Sequence, residues 1–135
     1  MAFRTFISLL AILALPSAVW AQSDLADSVW DNQSGSVLHI DDVREDGHFH
    51  GRYVNNAAGY ACQGAEYRVT GDVFETLIAF SVVWRAEAET CRTITSWTGE
   101  VTGDTITTEW SLVRLGDDGF GRYSGESVFT RRAGD

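Results

Sequence analysis

From Ser28 onward, apolar and polar residues alternate along the chain with a period of two, and short clusters of Gly, Asn and Asp interrupt the alternation at regular intervals. Successive side chains of a strand point to opposite faces, so this rhythm predicts β-strands; no stretch past residue 28 holds a helical period. The pattern places strands over 28–32, 36–43, 48–55, 66–74, 76–84, 92–102, 104–114 and 123–131. Turns are expected at 33–35, 45–47, 56–64, 85–90, 103–104 and 116–121, where the Gly and polar clusters lie. Consecutive strands of this number expose least edge by closing on themselves. The fold class expected is therefore all-β, an eight-stranded antiparallel up-and-down β-barrel, whose interior holds packed side chains or one small ligand.

Period two also sorts the faces. Ser36, Leu38 and Ile40 fall together, opposite Val37, His39 and Asp41; Phe49, Gly51, Tyr53 and Asn55 oppose His48, His50, Arg52 and Val54. The charged sets belong in water, which turns Ser36, Tyr53 and Asn55 inward among apolar neighbours. Later strands turn in Ile78, Phe80, Val82 and Trp84, then Ile106, Thr108, Trp110 and Leu112. In RTITSWTG, residues 92–99, one face presents Thr93, Thr95 and Trp97. Two hydroxyls beside an indole make poor core, because burying an unpaired hydroxyl costs roughly 1–3 kcal/mol. An interior of several Trp with scattered hydroxyl and amide groups suits an occupied ligand pocket. Trp used simply to fill the volume of a small barrel remains open at this point.

The stretch before Ser28 reads differently. MAFRTFISLLAILALPSAVWAQ has one cation, an apolar run shorter than the roughly 18 residues of a membrane span, and small residues ending at Ala21. It reads as a secretory signal peptide over 1–21, leaving one domain over 22–135 and a secreted or periplasmic product with no membrane segment after signal removal. The chain has 10 basic against 19 acidic residues, a net charge of −9, and every basic residue is Arg. A phosphate backbone needs a basic surface, so nucleic acid is excluded as a partner. Cys62 and Cys91, in a chain bound for an oxidising compartment, are expected to form one disulfide contributing on the order of 3–4 kcal/mol.

Catalytic chemistry finds little footing. His39, His48 and His50 fall on outward faces, so no nucleophile, His and carboxylate converge inside, and no enzyme activity is expected. The spacing of His48 and His50 suits a metal, but on a solvated face it reads as surface, and no metal site or cofactor is expected. Asp41 with Asp42 and Asp117 with Asp118 read as acidic groups in or near turns. GDDGFG lacks the spacing of a phosphate-binding loop.

WDNQSGS at 30–36, GRYVN at 51–55, FSVVW at 80–84, TITSWTG at 93–99 and ITTEWSL at 106–112 together resemble the avidin and streptavidin family, in order and approximate spacing, over nearly the whole mature chain. The resemblance implies a biotin pocket in the open end of the barrel. Asn32, Ser36 and Tyr53 match the family's polar triad around the ureido oxygen, and Asn55 matches a position near the ureido nitrogen or the ring face. Trp84, Trp97 and Trp110 match the aromatic walls, Thr95 the hydroxyl near the thioether sulfur, and Thr93 the hydroxyl near the valerate carboxylate. Trp30 matches a structural Trp near the closed end.

Two departures stand out. Ser127, in GESVF, occupies the position where the family usually has an Asp that accepts from a ureido N–H. Loss of a charge-assisted hydrogen bond of roughly 1.5–3 kcal/mol weakens binding about tenfold to a hundredfold. LGDDGFGR at 115–122 has no Trp, whereas tetrameric relatives lend one from this loop to a neighbouring subunit. Short dimeric members lack that Trp and tie their mouth loops with a disulfide, so the resemblance favours a homodimer. The functional expectation is a non-enzymatic, high-affinity biotin-binding protein; the alternative is an exported β-barrel protease inhibitor with a packed interior.

Overall fold

The computed structural model describes residues 24–60, 62–86 and 91–134, so the expected signal peptide lies outside the described residues. Eight strands follow one another: β1 (Ser28–Asn32), β2 (Val37–Val43), β3 (His48–Val54), β4 (Glu66–Phe74), β5 (Leu77–Ala86), β6 (Cys91–Thr102), β7 (Thr105–Gly116) and β8 (Gly119–Arg131). Each pairs antiparallel with its sequence neighbour, and β8 returns to β1 to close the barrel. Closure removes both edges, the physical reason a meander of amphipathic strands adopts this form.

The inward series of each strand makes the core. Leu38, Ile40, Phe49, Val69, Val82, Ile106 and Phe129 are fully buried. Gly71 lies opposite Phe49, and a Cβ there would stand 2.4 Å from the Phe49 ring, so the aromatic fills the space that glycine leaves. Trp30 is fully buried; its indole N–H donates to Ser28 Oγ at 2.7 Å, and the Arg131 guanidinium lies 4.5 Å from its ring centroid. Leu25, in the short helical turn before β1, joins the same core.

Some boundaries differ from expectation. Residues 116–121 are not a loop: β7 and β8 run on through the pairs Arg114↔Gly121, Leu115↔Phe120 and Gly116↔Gly119, and only Asp117 and Asp118 turn the chain. Glycine clusters suggested a break, but cross-strand pairing of a hairpin tolerates them where no side chain must pack. Asp41 and Asp42 lie at the end of β2, next to the turn that follows it. The register shifts there, between Ile40↔Gly51 and Asp42↔His50, and the bulge leaves both carboxylates exposed. Asp41 holds Arg52 through both oxygens, at 2.9–3.2 Å. His48 is not a bare surface group: its Nδ1 lies 3.2 Å from Asp72 Oδ1.

Candidate ligand-binding site

The barrel is open where the β1–β2, β3–β4 and β7–β8 connections gather, and a cavity of about 600 Å³ opens there. Asn32, Ser36, Tyr53, Asn55, Trp84, Thr93, Thr95, Trp97, Trp110 and Ser127 all line it. Alternation accounts for this convergence, since each belongs to the inward series of its strand or to the residue just beyond a strand end.

One side of the cavity is polar and held by local hydrogen bonds. Asn32 Oδ1 accepts from the backbone N–H of Ser34 at 3.0 Å and of Ser36 at 2.9 Å, which fixes the tight turn after β1. Its amide is thereby aimed inward, where Nδ2 donates to Tyr53 Oη at 3.4 Å. Ser36 Oγ accepts from the Asn56 backbone N–H at 3.0 Å and donates to Asn55 Oδ1 at 3.2 Å; the Ala57 N–H also reaches Asn55 Oδ1, at 3.1 Å. The chain of bonds orients these groups before any ligand arrives. Burial pushes the Tyr53 phenol up to about 12, with the Ser36 hydroxyl acting in the opposite direction.

The other side is aromatic. Trp97 stacks on Phe80 with centroids 5.0 Å apart and lies 4.9 Å from the Tyr53 ring. Trp84 packs edge-on against Tyr53 and Tyr67, and its indole N–H donates to Thr95 Oγ1 at 2.9 Å. Thr95 therefore works as an acceptor inside the wall as well as a lining group. Trp110 pairs with Gly125 across β7 and β8, and a Cβ at 125 would meet its ring at 2.6 Å. That glycine lets the indole lie against β8. Ser127 is buried beside Thr108, whose hydroxyl donates to the Ser127 carbonyl at 2.9 Å.

Among the described residues, the Asn55 amide nitrogen has no protein acceptor, and Trp97 Nε1 is buried without a partner. Tyr53 receives a hydrogen bond from Asn32 and keeps its own proton to donate. Such a pocket suits a flat, apolar ligand with a strong carbonyl acceptor at its inner end.

Sequence reasoning missed part of the site. Gln33 bridges the β1–β2 turn to β8: its Nε2 donates to the Glu126 carbonyl and its Oε1 accepts from the Val128 N–H, both at 2.9 Å. A side chain thus continues the seam where β1 has ended at Asn32. Tyr60, Leu112, Arg114 and Tyr123 also line the mouth. Leu112 belongs to the inward series expected for β7, and one further step of the same alternation leads to Arg114. Cys62 and Cys91 are disulfide-bonded across a separation of 29 residues, with Cα atoms 6.0 Å apart, tying the β3–β4 connection to the start of β6 beside the cavity.

A closed eight-stranded barrel with one polar-floored, Trp-walled cavity at its open end defines a small-molecule-binding barrel. The Avidin family model matches residues 21–131, and the chain belongs to that family. It is 38% identical over 108 residues to afifavidin of Afifella pfennigii, covering 76% of this chain and 67% of that one. With hoefavidin of Hoeflea phototrophica the identity is 31% over 126 residues, covering 75% of this chain and 77% of the relative. Among solved structures, a rhizavidin–biotin complex superposes with a TM-score of 0.75 at 39% identity, covering 82% of this chain and 94% of that one. Apo shwanavidin superposes at 0.71 with 38% identity, over 81% and 97% of the two chains.

Proposed function

We propose that this protein is a non-enzymatic, high-affinity biotin-binding protein, with biotin in the open end of the barrel as ligand rather than cofactor. The observation that carries the reading is the convergence of Asn32, Ser36 and Asn55, pre-oriented by backbone hydrogen bonds, and of Tyr53, held by the Asn32 amide, beneath the indoles of Trp84, Trp97 and Trp110. Three donors meeting one ureido oxygen stabilise its partial negative charge, and the indoles exclude water from the bicyclic ring. Thr95 and Thr93 lie farther along the same wall, where sulfur and the valerate tail would pass. Membership of the Avidin family and the likeness to a rhizavidin–biotin complex support the reading. The protease-inhibitor alternative required a packed interior, which an open cavity of about 600 Å³ does not suit.

Export after cleavage at Ala21 belongs to the same proposal, supported by the apolar leader and by a disulfide of the kind that persists in oxidising compartments. So does a homodimer. Its support is the outer face of β5–β7, where Val83, Ile94 and Val113 fall in one cross-strand row with Val83 and Ile94 exposed, next to the row Ser81, Ser96 and Ser111. Sedimentation of the mature protein checks the dimer.

Titration of the mature protein with biotin by calorimetry, with intrinsic Trp fluorescence recorded in parallel, tests the function. Saturation at one biotin per chain with altered Trp emission is expected. Absence of binding up to millimolar biotin overturns the proposal.

A further inference from the structure

His48 and His50 share the outward face of β3; neither lines the cavity, and neither lies on β5–β7, where the exposed apolar row stands. Their rings meet edge to face with centroids 4.8 Å apart, and among the described residues they are the only imidazole pair. Residues two apart on a strand are separated by about 6.5 Å. Two imidazoles reaching outward across that span can close to the spacing of neighbouring ligands on one ion, whose metal–nitrogen bonds are about 2.0–2.1 Å. The third histidine, His39, has no such partner: opposite it on β3 stands Arg52, a cation.

Asp72 adds a second feature. It is the cross-strand partner of His48 on β4, and its Oδ1 lies 3.2 Å from His48 Nδ1. A carboxylate in that place keeps the imidazole proton on Nδ1, fixes the ring, and leaves the Nε2 lone pair free for a metal. His50 is exposed, and no described group bonds either of its ring nitrogens. The charge around the pair is negative: Asp42 stands opposite His50 on β2, and Asp46 Oδ1 accepts from the His48 backbone N–H at 3.1 Å. Cations close in sequence are already engaged, Arg44 by Asp46 and Arg52, the next residue along the same face, by Asp41 and Glu66.

We infer that His48 and His50 form a two-imidazole chelate for a divalent cation of the Zn²⁺ and Cu²⁺ class, with Asp72 orienting His48 from behind. Imidazole suits these ions, whereas Mg²⁺ and Ca²⁺ take oxygen ligands. Among the described residues no three His, Cys, Asp or Glu side chains converge as ligands, so water fills the remaining positions. By sequence alone the pair reads as bare surface; the fold changes that by bringing Asp72 behind it from 24 residues away. The site is separate from the cavity and does not rest on the biotin reading.

The test titrates Cu²⁺ alone into the mature protein, followed by calorimetry and electron paramagnetic resonance, in wild type, His48→Gln, His50→Gln, His39→Gln and Asp72→Asn. Wild type should bind with the hyperfine pattern of two imidazole nitrogens and keep the ion in excess Mg²⁺. Either His48→Gln or His50→Gln should remove the two-nitrogen pattern, and His39→Gln should leave it. Asp72→Asn should retain the pattern but bind about tenfold to a hundredfold more weakly. Thermal unfolding matched to wild type shows that a variant's loss of metal is not loss of fold. If His48→Gln and His50→Gln bind Cu²⁺ as wild type does, or if Mg²⁺ displaces it, the chelate is overturned; Asp72→Asn with unchanged affinity overturns the orienting role.

Discussion

The two halves of the barrel wall are built differently. Strands β1 to β4 have 5, 7, 7 and 9 residues, whereas β5 to β8 have 10, 12, 12 and 13. The short half ends early and lets its chain turn over the cavity, where Asn32, Ser36 and Asn55 are held by bonds to neighbouring backbone groups and Tyr53 by the Asn32 amide. The tall half supplies Trp84, Trp97 and Trp110, positioned by ring packing and by the space at Gly125. Polar recognition needs aim, which local hydrogen bonds at strand ends provide. Apolar recognition needs area, which long continuous strands provide. Gln33 and the disulfide stitch one half to the other at the mouth.

Truncating the packed side should do most damage. Trp97→Ala is expected to cost about 3–5 kcal/mol of stability, read by denaturant unfolding, because it opens a cavity beside Phe80 and Tyr53. A loss below 1 kcal/mol would mean the tall half does not depend on this stack. Reducing the Cys62–Cys91 bridge should lower stability by about 2–4 kcal/mol, seen as a drop in melting temperature with reductant, and should speed biotin release by loosening the mouth.

Effects on the polar side should fall on binding instead. Ser127→Asp adds a carboxylate acceptor to the cavity lining, and biotin affinity should rise about tenfold to a hundredfold by calorimetry. Unchanged affinity would show that the floor already satisfies the ligand. Tyr53→Phe should weaken biotin about tenfold while leaving the fold intact. The raised phenol also sets a pH dependence. Folded protein keeps a proton that the unfolded chain loses from pH 10 upward, so this contribution to stability is complete below 10 and is lost as pH rises through about 12. Absorbance titration of tyrosinate should show one late-ionising group that is absent in the variant. Smallest of all, Gln33→Ala should cost about 1 kcal/mol in thermal unfolding by opening the β1–β8 seam.

Strand by strand, alternation alone located every element to within a few residues except at the β7–β8 hairpin. There Gly116, Gly119 and Gly121 read as loop, because the pairing that keeps them in a ladder comes from a partner strand and leaves no mark on the local pattern. The inward placement of Ser36, Tyr53, Thr95 and Trp97 followed from period two, and their proposed roles followed from a resemblance borne by several motifs together.

What the sequence determined by itself, then, was which residues face inward, since side-chain direction in a strand depends only on position along it. Which of them meet was decided by closure and register. Thr93 stands opposite Arg114, Gly125 beneath Trp110, and Gln33 against the backbone of β8 at a distance of 93 to 95 residues in sequence. Those contacts join strands through hydrogen-bonded pairing and the relative lengths of the two half-walls, quantities that exist only once the barrel has closed.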